Sequence, residues 1–330
     1  MVRMNGRRRR AALFALLAAV LLTMFVRWRM GALRDSALSQ QAADRYAGQS
    51  GRSFVQLSIF FHPGDRMGEF SILLLEETLR TGLRRSGSTG AGAEDRFPCA
   101  LSASGYLNVQ SDRGTFPLQA IGVGGDFFLF HPFRLRYGSL MDIPAGNGIV
   151  VNDRAAWLLF GGLDVVGLPV RIGVDAYVVS GVVSLENDRG SQAALGSTDC
   201  MIFVPFPLLD TGVTCCEVVL PEPVKGYGEA LVASLGVGDT VNNSARFTAP
   251  AIWDAIRALP KYNMVKSSAP LPYWENAARN TEMRLILWTM LLYFCLTPVL
   301  AALSLLLVIP HVAYVLHWIK GRRGKKEAMP

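Results

Sequence analysis

IVVNDRAAWLLFGGLDVVGLPVRIGVDAYVVSGVV (149–183) decides how the middle of this 330-residue chain folds. It opens on a short β-rich apolar run that meets Asn152 and Asp153, two residue types that cap helices, so 148–160 reads as a strand turning into a short helix. Residues 169–172, 177–183 and 201–205 follow as β-like runs. Upstream, DFFLFHPFRLRYGSL (126–140) is strongly aromatic. Together these make 124–213 a mostly β lobe.

On either side the pattern mixes both periods. Residues 53–61 (SFVQLSIFF) read as a strand. Residues 69–83 (EFSILLLEETLRTGL) space apolar side chains as a helix does, with acids early and arginines at the end, as the helix dipole favours. A Gly/Ser-rich loop is expected at 86–92, and strands at 105–110 and 116–123. After the β lobe come a strand at 217–220, a helix at 228–235 and a strand at 240–247. The fold class is therefore α+β: a two-lobed domain, with an α/β lobe built from 50–123 and 214–265 and the β lobe inserted into it.

Half of the chain is apolar, and its formal charge is +7. The charge sits in the tails: Arg3, Arg7 to Arg10, Lys320, Arg322, Arg323, Lys325 and Lys326 face a single Glu327, which leaves about −2 for everything between. Basic ends around a nearly neutral middle follow the positive-inside bias of membrane proteins and argue against a nucleic-acid partner. Residues 11–27 carry an uncharged run that ends at Arg27, Trp28 and Arg29; as a helix its 16 apolar residues span about 24 Å. No convincing small-x-small cleavage site follows, so an uncleaved anchor is expected over a signal peptide. Ala11, Ala15 and Ala19 fall at helix-packing spacing, a pattern that alanine-rich leaders also show by chance.

The second uncharged run, 285–319, would be about 52 Å long as one helix, too long for one crossing and too short for two. A span over 285–310 ending at Pro310, then an interfacial segment and basic tail over 311–330, fits best. With basic residues at both far ends, 1–10 and the C-terminal tail are cytoplasmic, and 28–284 form an extracytoplasmic domain in the cell membrane.

The run 122–142 (GVGGDFFLFHPFRLRYGSLMD) together with 149–183 resembles the extracytoplasmic core domain of MacB-type ABC transporter permeases, within the FtsX-like permease superfamily. The resemblance rests on Phe160 and Gly161 ending the short helix, the Asp164-x-x-Gly167 turn, and the strand with Tyr177, Val179, Gly181 and Val182. These positions are structural. LPYWENAARNTEM (271–283) also resembles segments of two-span permease-like proteins of Gram-positive anaerobes. The family implies an outer domain of two lobes that responds to cytoplasmic ATP hydrolysis. It implies as partners an ABC ATPase subunit, another permease subunit, membrane lipid, and a homo- or heterodimer. A full permease half has four spans, and the last two have no counterpart in this sequence, so a subunit is expected and not an autonomous transporter. The reading from a different class is a membrane-tethered binding, sensor or scaffold module with no ATPase partner.

Chemistry within the chain is not expected. There is no Gly-Lys-Ser/Thr phosphate loop, and GVGG (122–125) lacks the spacing of a dinucleotide fingerprint. Of four histidines, His311 and His317 fall in or beside the membrane; His62 and His131 have no second metal ligand at close spacing. No nucleophile elbow points to a hydrolase. Catalytic, cofactor and metal residues are therefore none. Cys99, Cys200, Cys215 and Cys216 are the candidate disulfide cysteines, since all would lie outside; one of the adjacent pair 215–216 is expected near Cys99 or Cys200. Cys295 is a membrane thiol. Asn242-Asn243-Ser244 is a glycosylation sequon only in a eukaryotic context. Arg134 and Arg136, interleaved with Phe133 and Tyr137, read as a solvated strand edge or an anion-binding patch.

Overall fold

The computed structural model describes residues 6–48, 52–64, 66–85, 96–140, 146–186, 188–195, 200–258, 271–309 and 312. The expected loop at 86–92 and the interfacial segment with His311, His317 and Trp318 lie outside them. The chain divides into two units: Ser36–Glu282, and the two terminal stretches Met1–Asp35 with Met283–Pro330.

The terminal unit holds α1 (Gly6–Asp35) and the apolar continuation of a second long helix, which reaches residue 309. Both helices are long and apolar enough to cross a membrane, over Arg9–Asp35 and Tyr273–Ile309. The first helix runs past residue 27, and the second begins before residue 285. Helical geometry continues past Arg27 to Asp35 because Arg-Trp-Arg-Met-Gly-Ala-Leu-Arg has no proline and its good helix formers outweigh the single Gly31, and the second helix starts twelve residues before the apolar run does. Val26 packs with Leu292 and Leu296, within a six-residue π turn at Leu291–Leu296. Of the alanines at helix-packing spacing, Ala11 and Ala15 are exposed and Ala19 is buried.

In the Ser36–Glu282 unit the elements run α2 (Ala42–Ala47), β1 (Phe54–Phe60), α3 (Glu69–Arg85), β2 (Cys99–Ser111), β3 (Gly114–Gly125), α4 (Phe127–Phe130), β4 (Arg134–Gly138), β5 (Gly148–Asn152) and α5 (Asp153–Phe160). Then come β6 (Pro169–Ile172), β7 (Asp175–Ser184), α6 (Arg189–Leu195), β8 (Met201–Pro205), β9 (Cys215–Pro221), α7 (Tyr227–Ala233), β10 (Asp239–Asn242), α8 (Asn243–Arg246), α9 (Ala249–Arg257) and α10 (Tyr273–Met290). Strands from both expected lobes join one sheet in the order β10-β1-β9-β2-β3-β8-β5-β7-β4, with β6 bridging β2 and β7. The long β2–β3 hairpin carries the continuity. It pairs with β9 near its open end and with β6 near its tip, while β3 takes β8 in parallel.

The period of two along each strand loads both faces. Val55, Leu57 and Ile59 of β1 join Cys216, Val218 and Leu220 of β9 in one core, covered by Ile72, Leu79 and Leu83 of α3, Leu159 of α5 and Val232 of α7. The opposite face carries Ile121, Val123, Val150, Phe203 and Val219 under Ala42 and Ala43 of α2, Phe127 and Phe130 of α4, and Tyr273 and Trp274 of α10. Helices on both sides explain why β5, β8 and β9 read as nearly continuous apolar runs.

The opening stretch folds as its residues dictate. Asn152 caps α5, its Oδ1 accepting from the Ala155 amide at 2.8 Å, an interaction worth about 1 kcal/mol. The same oxygen accepts from the Met201 amide at 3.2 Å, which joins the cap to β8. Gly161 ends the helix at φ +81°, the left-handed conformation that glycine adopts without strain. Gly181 is required for space: a Cβ there would sit 2.6 Å from the Ser139 carbonyl oxygen. One expectation is overturned. Residues 240–247 do not form one strand, because Asn242 accepts from the Ala245 amide at 3.0 Å and turns the chain into α8.

Candidate functional site

A buried polar chain crosses the second face of the sheet. Alternation sets Gln56 and Ser58 of β1 on that face, and the register places Ser58 directly opposite Glu217 of β9. The carboxylate is 1% exposed, on a strand that is otherwise apolar. Ser58 donates to Glu217 Oε1 at 2.9 Å and accepts from Asn243 Nδ2 at 2.7 Å. Asn243 opens α8. One turn on, Arg246 reaches Asn243 Oδ1 at 3.4 Å and grips Glu275 of α10 with both terminal nitrogens, at 2.7 and 2.6 Å. Its Nε donates to Glu282 at 3.2 Å, and Arg279 adds a 2.7 Å bond to Glu275. Burial by itself would depress the Arg246 guanidinium, but Glu275 and then Glu282 outweigh it and raise its pKa.

At the other end stands His131, fully buried just after α4. Its Nε2 lies 2.6 Å from Glu217 Oε2 and its Nδ1 lies 3.0 Å from Ser39 Oγ. Ser39 gives its only hydroxyl proton to Glu186 Oε1 at 2.8 Å, which leaves its oxygen to accept from His131 Nδ1. Gln56 clamps the same segment, its amide nitrogen donating to the Ser39 carbonyl at 2.7 Å while its Oε1 accepts from the Ala42 amide at 2.8 Å. Phe127 and Trp274 close the imidazole on its flanks, with ring centroids 4.5 and 4.4 Å away.

The chain therefore runs from Glu186 through Ser39, His131, Glu217, Ser58, Asn243 and Arg246 to Glu275. Ser39 is four residues past the end of α1, and Glu275 lies in the first turn of α10, so the two segments continuous with the long helices are joined inside the outer domain. Of the histidines considered from sequence, His62 pairs with Asp239 at 3.5 Å and His131 is the central member of this network. The residues that sequence reasoning missed are Ser39, Ser58, Glu186, Glu217, Arg246 and Glu275. A charge inside CCEVVL (215–220) was the one visible signal.

The family positions shape a turn and a core. Gly167, at φ +85°, donates from its amide to the Val179 carbonyl at 2.8 Å and closes the loop that Asp164 begins. Val179 and Val182 are buried, Phe160 and Tyr177 are half-buried against the same core, and Gly161 and Gly181 act as described above. The MacB-like periplasmic core domain family matches residues 18–225, more than half of the chain. This chain belongs to that family. Among solved structures, the periplasmic region of MacB from Actinobacillus actinomycetemcomitans is similar at 14% identity, over 63% of this chain and 93% of its own, with a TM-score of 0.39. The extracellular domain of the noncanonic ABC-type transporter YknZ from Gram-positive bacteria is similar at 15% identity, over 58% and 99%, with a TM-score of 0.37. No curated protein matches. Among the described residues, two candidate spans flank the MacB-like domain, as in a cell-membrane protein with that domain outside the cytoplasm.

Ser39, His131 and Glu217 have the membership of a hydrolytic triad but not its layout. The serine proton is committed to Glu186, and the cavity beside Ser39, lined also by Glu186, Ser191 and Trp274, has about 10 Å3, room for about one water. An acyl substrate has no space there. A fluorophosphonate probe is expected to leave Ser39 unlabelled in the native MacB-like chain, and mass spectrometry of its peptides checks this; stoichiometric labelling would restore the hydrolase reading.

All five cysteines are free thiols. Cys99 and Cys216 approach to 3.8 Å between sulfurs, nearly twice a disulfide length. Both Cys99, through its contact with Cys216 and its burial, and Cys215, through burial first, are held well above ordinary thiol pKa values. Cys200 is half-buried. Iodoacetamide at neutral pH should therefore alkylate Cys200 at least about tenfold faster than Cys99, Cys215 or Cys216. Peptide mapping with and without reductant measures the rates and reports any bonded pair.

Proposed function

We propose that this chain is a non-catalytic, permease-like membrane subunit of an ABC-type transport system, passing motion or ligand state between a cytoplasmic ATPase or permease partner and its outer domain. The observation that carries the reading is the buried polar chain. In a MacB-like domain flanked by two spans, it ties the segment leaving α1 and the segment entering α10 to the same strand pair, β1 and β9. A displacement of either segment has to move Glu217 and Arg246 together or break charge-assisted hydrogen bonds in a buried site, where an unpaired charge costs several kcal/mol, about 3 or more.

The reading is tested on inside-out native membrane vesicles by hydrogen exchange of the full chain, with ATP supplied on the cytoplasmic face. Protection of 36–48 and of 271–282 is expected to change together on adding ATP. Unchanged exchange in both segments, with the ATPases of the vesicles active, would overturn the coupling.

A further inference from the structure

A groove of about 630 Å3 opens beside the polar chain and shares Glu186 with it, but most of its lining takes no part in the chain. Arg134 and Arg136 come from the exposed strand β4, and Arg154 from the first turn of α5. The wall beside them is apolar, formed by Leu38, Phe133, Leu185 and Leu195. Two carboxylates also line the groove, and both are engaged. Glu186 is taken by Ser39, and Asp153 Oδ2 accepts from Ser184 at 2.6 Å with Arg136 at 3.8 Å. The other Asp153 oxygen, Oδ1, is buried and has no hydrogen-bond donor among the described residues. Three guanidiniums against two occupied carboxylates leave the rim cationic. A lone phosphate would satisfy the arginines but leave the apolar wall unused.

We propose that this groove binds an anionic amphiphile: a phosphate-type oxyanion on the arginines and the hydrocarbon on Leu38, Phe133, Leu185 and Leu195. Guanidinium forks match oxyanions in geometry and charge, and an acyl chain gains free energy by covering apolar wall that water otherwise wets. Leu38 stands three residues beyond the end of α1, so the chain that forms the wall has only just left the apolar helix.

The test uses the full chain in a neutral detergent, with native mass spectrometry counting bound phosphatidylglycerol, phosphatidylcholine and inorganic phosphate. Wild type is expected to prefer phosphatidylglycerol to phosphatidylcholine. Arg134→Glu and the milder Arg134→Gln should each lower phosphatidylglycerol affinity, the reversal by about fivefold or more, while Arg257→Glu on the exposed end of α9 changes nothing. Arg134 is exposed, so both variants should keep the wild-type thermal transition. Equal phosphatidylglycerol affinity in wild type and both Arg134 variants would overturn the assignment. Arg134-dependent binding of inorganic phosphate without such binding of phosphatidylglycerol would overturn the amphiphile and leave a free-anion site.

Discussion

Replacing Arg246 with methionine is expected to destabilise the outer domain by about 3–5 kcal/mol, because Glu275 is then left charged and 1% exposed, with only Arg279 beside it. Urea-dependent pulse proteolysis of the full chain in detergent measures this. Adding Glu275→Met should return most of the loss, since an apolar pair of similar volume replaces a buried ion pair at little net cost. Recovery in the double variant separates a missing charge partner from a badly filled space. If the double variant is as unstable as Arg246→Met alone, packing around α8 and not the ion pair holds α10 to the sheet.

The second large effect belongs to His131. His131→Leu removes the donor to Ser39 and the partner of Glu217 Oε2 at once, leaving a buried carboxylate with one hydroxyl for company. A loss of about 3 kcal/mol or more is expected. Glu217→Gln should cost only about 1 kcal/mol, because its amide nitrogen can donate to His131 Nε2 while its oxygen still accepts from Ser58. Thermal unfolding of the three proteins orders them wild type, Glu217→Gln, His131→Leu. A Glu217→Gln variant as unstable as His131→Leu would show that this contact requires a carboxylate and not a hydrogen bond alone.

Much of the framework could be read from local pattern. The strand, cap and glycine stop at 148–161 are written in three residues, Asn152, Asp153 and Gly161, and short apolar strands such as β6 and β8 lie where alternation and turn residues put them. The long hairpin was visible only as two fragments. Gly105, Asn108 and Pro117 weaken its strand signal, and pairing across twelve residue pairs overrides that weakness. The turn at Asn242 was hidden because its cap competes with an apparent strand. The polar chain could not be read at all. Ser58 and Asn243 are 185 residues apart, and His131 and Glu217 are 86 apart, so only the closed sheet brings them together. The start of α10 was obscured for a related reason: Glu275, Arg279 and Glu282 look like a solvated face in sequence, yet they turn toward Arg246.

The account stands most directly on one purification. Extracted in mild detergent from cells that express it natively, this MacB-like chain is expected to bring with it an ABC ATPase, or a permease bound to one, in stoichiometric amount, and His131→Leu or Arg246→Met should leave less of that complex. Repeated recovery of the intact, folded chain with no ATPase or permease bound would contradict a transport subunit.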